Sequence, residues 1–201
     1  MGKRPSGSRP PSRSTPRSAN LGLQKAALVR RYPTGTVSMS RTELVWYGSL
    51  TPTGFSRTYE VVVAHKIGGP PPLVYVARPR LRLVNGLHLP HVYPLNTVCL
   101  YYGIREWNSS MLIASTLVPW TSEWLAHYEV WSASGGEWMG GGVHDEVSGN
   151  VSPEKEEAEA RRREDHMRRK TARLERALRM AYGQDCDLGE LFYNAHLAPA
   201  K

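Results

Sequence analysis

The sequence predicts an α+β fold: an antiparallel meander of about four strands flanked by helices, followed by one long charged helix. Three observations carry that expectation. Four β-rich runs, residues 36–39, 44–50, 58–65 and 73–77, follow one another with short breakers between them. Helical periodicity brackets this block, first at residues 21–31 and later from Met111 to Trp131. A charged stretch then opens on Ser152-Pro153-Glu154 and closes on Gly183, a good helix start and a good helix stop.

Taken in order, residues 1–18 (MGKRPSGSRPPSRSTPRS) hold Met1 as their one apolar side chain larger than proline. Such a segment buries too little surface to offset its ordering entropy, so residues 1–20 are expected to be a disordered basic tail. Leu21, Leu28 and Val29, with Ala26 and Ala27 between, suit a short helix ended by Tyr32-Pro33. The breakers Thr51-Pro52-Thr53-Gly54 and Gly68-Gly69-Pro70-Pro71-Pro72 separate the later strands closely enough for antiparallel neighbours. After Arg78-Pro79 the pattern is irregular until residues 97–102, and this loop carries Cys99. Helical spacing returns at 111–118, and Pro119 suits the first position of a new helix. Trp120, Trp124, Tyr128 and Trp131 then share one face of it, as core aromatics do. The glycine-rich tract 135–142 lacks the Lys-Ser/Thr and preceding strand of a phosphate loop, so it is given no nucleotide role.

In the helix expected at 152–183, acidic residues lead and basic ones follow, which complements the helix dipole. Only its second half has an apolar stripe, at Met167, Leu174, Leu178 and Ala181. That half is expected to dock on the domain or on a partner, and the first half to project into water. In the tail 184–201, residues 188–197 are apolar enough to dock as well. These divisions give a domain at 21–147 between the basic tail and the long helix.

Charge and composition exclude several classes. The 201 residues carry a formal net charge of +8, with 40% apolar residues. No acidic residue precedes Glu43, whereas nine Lys and Arg do, so the remaining 159 residues hold 17 positive and 18 negative charges. The basic character belongs to the tail, whose affinity for nucleic acid is expected to be weak. No apolar run could span a bilayer, no secretory signal opens the chain, and two cysteines are too few for a disulfide framework. A cytoplasmic protein is expected. HExxH, Gly-x-Ser-x-Gly and CxxC motifs are absent. His88 and His91 form an HxxH pair that no second cluster completes, so no metal is expected, and no cofactor.

The informative stretch is Leu89-Pro90-His91-Val92-Tyr93-Pro94-Leu95-Asn96-Thr97-Val98-Cys99-Leu100. It resembles the active-site segment of ubiquitin-conjugating (E2) enzymes, above all the one that conjugates SUMO. There a His-Pro-Asn tripeptide leads into Val-Tyr-Pro and ends in Thr-Val-Cys-Leu. The run from Pro119 to Trp131, with Gly136-Glu137-Trp138 and the glycines after it, resembles the bacterial E2-like proteins of anti-phage CBASS systems, including short type II operons. Those encode an E2-like protein beside a cGAS-like nucleotidyltransferase, without a companion E1. The likeness spans about residues 20–145 and implies an E2 fold.

The resemblance implies an acyl-transfer enzyme. Cys99 would hold the C-terminus of a partner, the cGAS-like nucleotidyltransferase, as a thioester and pass it to an acceptor that the sequence does not identify. A thiol suits that task because it attacks as thiolate and leaves easily. The tripeptide positions depart from the pattern: Leu89 replaces its His and His91 its Asn, while Asn96 stands where a Gly is usual. An oxyanion donor is worth about 3–4 kcal/mol, and His91 or Asn96 is the candidate to supply it. No Lys or Arg lies within five residues of Cys99, so stabilising its thiolate falls to backbone donors, His91 or a partner. Two other readings stay open: a non-enzymatic E2-fold module that binds the partner's tail, and a nucleic-acid-binding protein driven by the basic tail and arginine-rich helix.

Overall fold

The computed structural model describes residues 19–101, 106–140 and 153–197. Helix α1 (Leu21–Arg31) is capped by Asn20, whose side-chain oxygen accepts from the Leu23 N–H at 2.8 Å. Ala19 is buried, and its N–H donates to the Ser109 carbonyl at 2.7 Å. A cap requires a fixed side chain, so the tail expected at 1–20 gives up Ala19 and Asn20 to the folded body. Its first 18 residues lie outside the described ones.

The meander forms as expected. Strands β1 (Thr36–Met39), β2 (Glu43–Leu50), β3 (Tyr59–Lys66) and β4 (Leu73–Arg78) lie in that order, each antiparallel to the next. The register aligns Val37, Trp46, Val63 and Val74 in one cross-strand row. With Leu44, Val61 and Val76 this row packs on Leu21 and Leu28 of α1 and on helix α2 (Leu117–Ser134). The opposite face presents Val45, Val62, Ala64, Leu73 and Tyr75, and the long helix α3 (Pro153–Tyr182) covers it with Leu174, Ala177 and Leu178. A sheet buried on both faces explains why β3 and β4 read as nearly unbroken apolar runs rather than alternating ones.

Two expectations need correction near α2. The helix expected at 111–118 is a single 3₁₀ turn, Ile113–Ser115, and Pro119 is the third residue of α2 rather than its first. A proline is tolerated there because the first four N–H groups of a helix have no partner within it. The 3₁₀ turn is held from α1. Gln24 is fully buried, its Nε2 donating to the Met111 carbonyl at 2.8 Å and its Oε1 accepting from the Ile113 N–H at 2.9 Å. Gln24→Leu fills the same space but leaves both backbone groups unpaired, so urea denaturation is expected to show a loss of about 2–3 kcal/mol.

The C-terminal segment covers the β4 edge of the sheet. After Gly183 come helix α4 (Leu188–Leu191), capped by Asp187, and a 3₁₀ turn, Tyr193–His196. The Tyr75 hydroxyl donates to the Leu191 carbonyl at 2.8 Å, and Asn194 bonds the Val76 and Pro79 carbonyls from its Nδ2. An open edge at β4 is thereby covered.

One buried histidine couples this core to pH. His65 lies edge-on to Trp107, with ring centroids 5.7 Å apart, and burial, reinforced by Arg173, holds its pKa below the ordinary value. The unfolded chain takes up that proton near pH 6.5, whereas the folded one resists it. Stability is then full above about pH 6.5 and declines as the pH falls below it. Urea midpoints at pH 7.5 and 5.5 are expected to differ more for the wild-type protein than for His65→Phe.

Candidate active site

Cys99 leaves a two-stranded hairpin. Strands β5 (Val92–Tyr93) and β6 (Thr97–Val98) pair with Val92 opposite Val98 and Tyr93 opposite Thr97. The next rung is the Cys99 N–H donating to the His91 carbonyl at 2.9 Å. The regular strand therefore stops at Val98, short of the 97–102 run in the sequence, and residues 102–105 lie outside the described ones. The connecting turn, Pro94–Asn96, places Leu95 (φ 64) and Asn96 (φ 48) in the left-handed region in succession. Such residues cost about 1–2 kcal/mol each, so contacts from outside the turn must hold it.

Those contacts come from the C-terminal segment. Leu95 is buried in the cluster that includes Leu191, Phe192 and Ala195. Asn96 Nδ2 donates to the Asn194 carbonyl at 2.7 Å and to the Leu197 carbonyl at 3.3 Å. The Asn96 amide, a candidate oxyanion donor in the sequence, is directed to the C-terminal segment by these bonds. Two backbone carbonyls engage the amide, and Asn96 does not line the Cys99 cleft.

His91 does share that cleft. An open groove of about 500 Å³ is lined by His91, Cys99, Leu100, Trp120, Trp124 and Trp138, among others. Cys99 is partly exposed in it. The His91 ring rests against Trp138 with centroids 5.1 Å apart, and His127 meets the same indole at 5.7 Å. Trp124 fixes the wall: its Nε1 donates to the Pro90 carbonyl at 3.2 Å, and its ring stacks on Tyr128. The tryptophan stripe of α2 is thus core at Trp124 and Trp131 and groove wall at Trp120 and Trp124. Glu106 and Glu123 also line the groove.

A second groove adjoins the same segment. It measures about 610 Å³ and runs between the 70–72 proline turn and α3, with Tyr93, Val98, Tyr101, Lys170 and Arg173 in its walls. Lys170 is half-buried with its ammonium 5.1 Å above the Tyr93 ring. Burial, reinforced by Arg173, pushes its pKa down to about 8, and a thiolate at Cys99 would oppose that shift. A cation close to the cysteine was not legible in the 94–104 stretch. The signal lay in α3, where Lys170 precedes Leu174 by one turn of the docking stripe.

The HxxH pair does not converge. His88 is exposed and absent from the His91 groove. Among the described residues no three His, Cys, Asp or Glu side chains gather as a metal site, and no helix is long and apolar enough to cross a membrane. A search of curated proteins finds no match. The family model for the type II CBASS E2 protein matches residues 24–145, from α1 through the hairpin and α2 to just past Trp138. With an α+β fold built on a four-stranded antiparallel meander, and a match over more than half of its length, the chain belongs to the type II CBASS E2 family of anti-phage defence proteins.

Proposed function

We propose that the protein is a thioester-forming acyl-transfer enzyme in which Cys99 carries the C-terminus of a partner protein. The observation that carries this reading is the partly exposed Cys99 at the end of a strained hairpin, in an open, tryptophan-lined groove of about 500 Å³. The thiolate attacks an activated C-terminal carbonyl, the activating group leaves, and the acyl group rests on Sγ. His91, with its imidazole in the same groove, is the candidate donor to the oxyanion. Family membership implies work alongside other CBASS components. The partner in this reading is the cGAS-like nucleotidyltransferase, whose tail would enter between Trp120, Trp124 and Trp138.

The test mixes the full-length protein with that nucleotidyltransferase, in lysate from cells carrying the operon, and separates the products on non-reducing gels. An adduct cleaved by dithiothreitol is expected for the wild-type protein and none for Cys99→Ala. For Cys99→Ser the adduct is expected to be an ester that resists dithiothreitol and yields to hydroxylamine. A stable complex without any covalent adduct would replace this reading with that of a tail-binding module.

A further inference from the structure

The groove beside α3 brings an amine to the cysteine segment. Val98 precedes Cys99 and Tyr101 follows it by two residues, and both line the groove that holds Lys170. Cys99, between them in sequence, lines the neighbouring aromatic groove. A thiolate at Cys99 would favour the ammonium form of Lys170, which sets the two groups within Coulombic range. The Lys170 ammonium lies 5.1 Å from the ring of Tyr93, the hairpin residue opposite Thr97.

Among the described residues, the Tyr93 ring is the contact given to the Lys170 ammonium, and a ring does not replace a counter-ion. No ion pair joins it to a carboxylate among the described residues, and its charged neighbour on the helix, Arg173, repels it. Desolvating an ammonium without a counter-ion is unfavourable. The same surroundings favour the neutral amine, which is the nucleophilic form. With a pKa of about 8, roughly a tenth of the amine is unprotonated at pH 7, about two hundredfold more than for an ordinary lysine.

We propose that Lys170 is an internal acceptor, taking the acyl group from Cys99 Sγ onto its Nζ, so that the protein conjugates the donor to its own long helix. The inference rests on the thioester reading above. The free amine attacks the thioester carbonyl carbon, the C–N bond forms and the C–S bond breaks. Cys99 departs as thiolate, and the proton shed by the nitrogen passes to that thiolate or to water. The step needs no oxidant or reductant, and the donor class is an activated C-terminal carboxyl such as a thioester.

The test uses the full-length protein and a fluorescent peptide thioester of 2-mercaptoethanesulfonate, which loads a reactive thiol by exchange without an activating enzyme. The wild-type protein is expected to form a dithiothreitol-sensitive adduct that converts to a resistant one, faster at pH 8.5 than at pH 7. Tryptic mass spectrometry should place the branch on Lys170. Lys170→Arg keeps the charge, so the sensitive adduct should form at the wild-type rate and accumulate, while the resistant one falls at least tenfold. Cys99→Ala should form neither, which excludes direct acylation of the lysine. A branch on another lysine, or an unchanged resistant adduct in Lys170→Arg, overturns the proposal while leaving the thioester reading intact. Failure of the wild-type protein to form the sensitive adduct removes the thioester reading, and the acceptor with it.

Discussion

Replacing both Leu174 and Leu178 with alanine is expected to lower the unfolding free energy by about 6 kcal/mol. Both side chains are fully buried in the cluster that joins α3 to the outer face of the sheet. Each Leu→Ala change removes buried methyl groups and leaves a cavity, at about 2–5 kcal/mol per site. The two sites are one turn apart and share neighbours, so their effects need not add fully. Domains of this size hold about 5–15 kcal/mol in total, so the double variant is expected near the edge of folding. Each single variant should remain folded with a urea midpoint well below wild type. The alternative, in which α3 is a detachable appendage to a self-sufficient domain, predicts near-wild-type midpoints for all three.

That dependence bears on what could be read in advance. The meander was legible because its turns carry Pro and Gly clusters and its strands carry β-branched runs, both local signals. The docking half of α3 was legible from the spacing of Leu174, Leu178 and Ala181, and its target follows from the apolar outward positions Val45, Val62 and Tyr75. The cysteine segment could be located because its likeness to a known active site is contiguous in sequence. The surroundings of that segment could not. Asn96 meets Asn194, and Lys170 meets Tyr93 of the hairpin, through side chains brought together only by the folded C-terminal half. No periodicity or local motif records such pairs. The early start of α2 was missed for the same reason, since Gln24 of α1 fixes the 3₁₀ turn before it.

Asn194→Ala is expected to cost about 3 kcal/mol and to slow loading of Cys99, although the residue lies in the C-terminal segment far from the cysteine in sequence. Asn194 is buried, and its side chain makes three bonds to the backbone around β4. Its Oδ1 accepts from the Leu81 N–H at 2.8 Å, and its Nδ2 donates to the Val76 and Pro79 carbonyls at 2.9 and 3.1 Å. Alanine leaves these groups buried without partners, at about 1–3 kcal/mol for each one not rescued by water. The Asn194 backbone carbonyl is also the nearer acceptor for Asn96, so loosening the segment frees the left-handed pair Leu95–Asn96 that shapes the turn before Cys99. Asn96→Gly separates the two effects. Glycine adopts φ near +48 without strain, so its stability should fall by less than that of Asn194→Ala, while the tie to the C-terminal segment is lost. If that tie orders the hairpin, both variants slow peptide-thioester loading several-fold, and Asn194→Ala alone shows the large shift in urea midpoint. Wild-type loading rates in both would mean that the segment supports the sheet edge and leaves the cysteine unaffected.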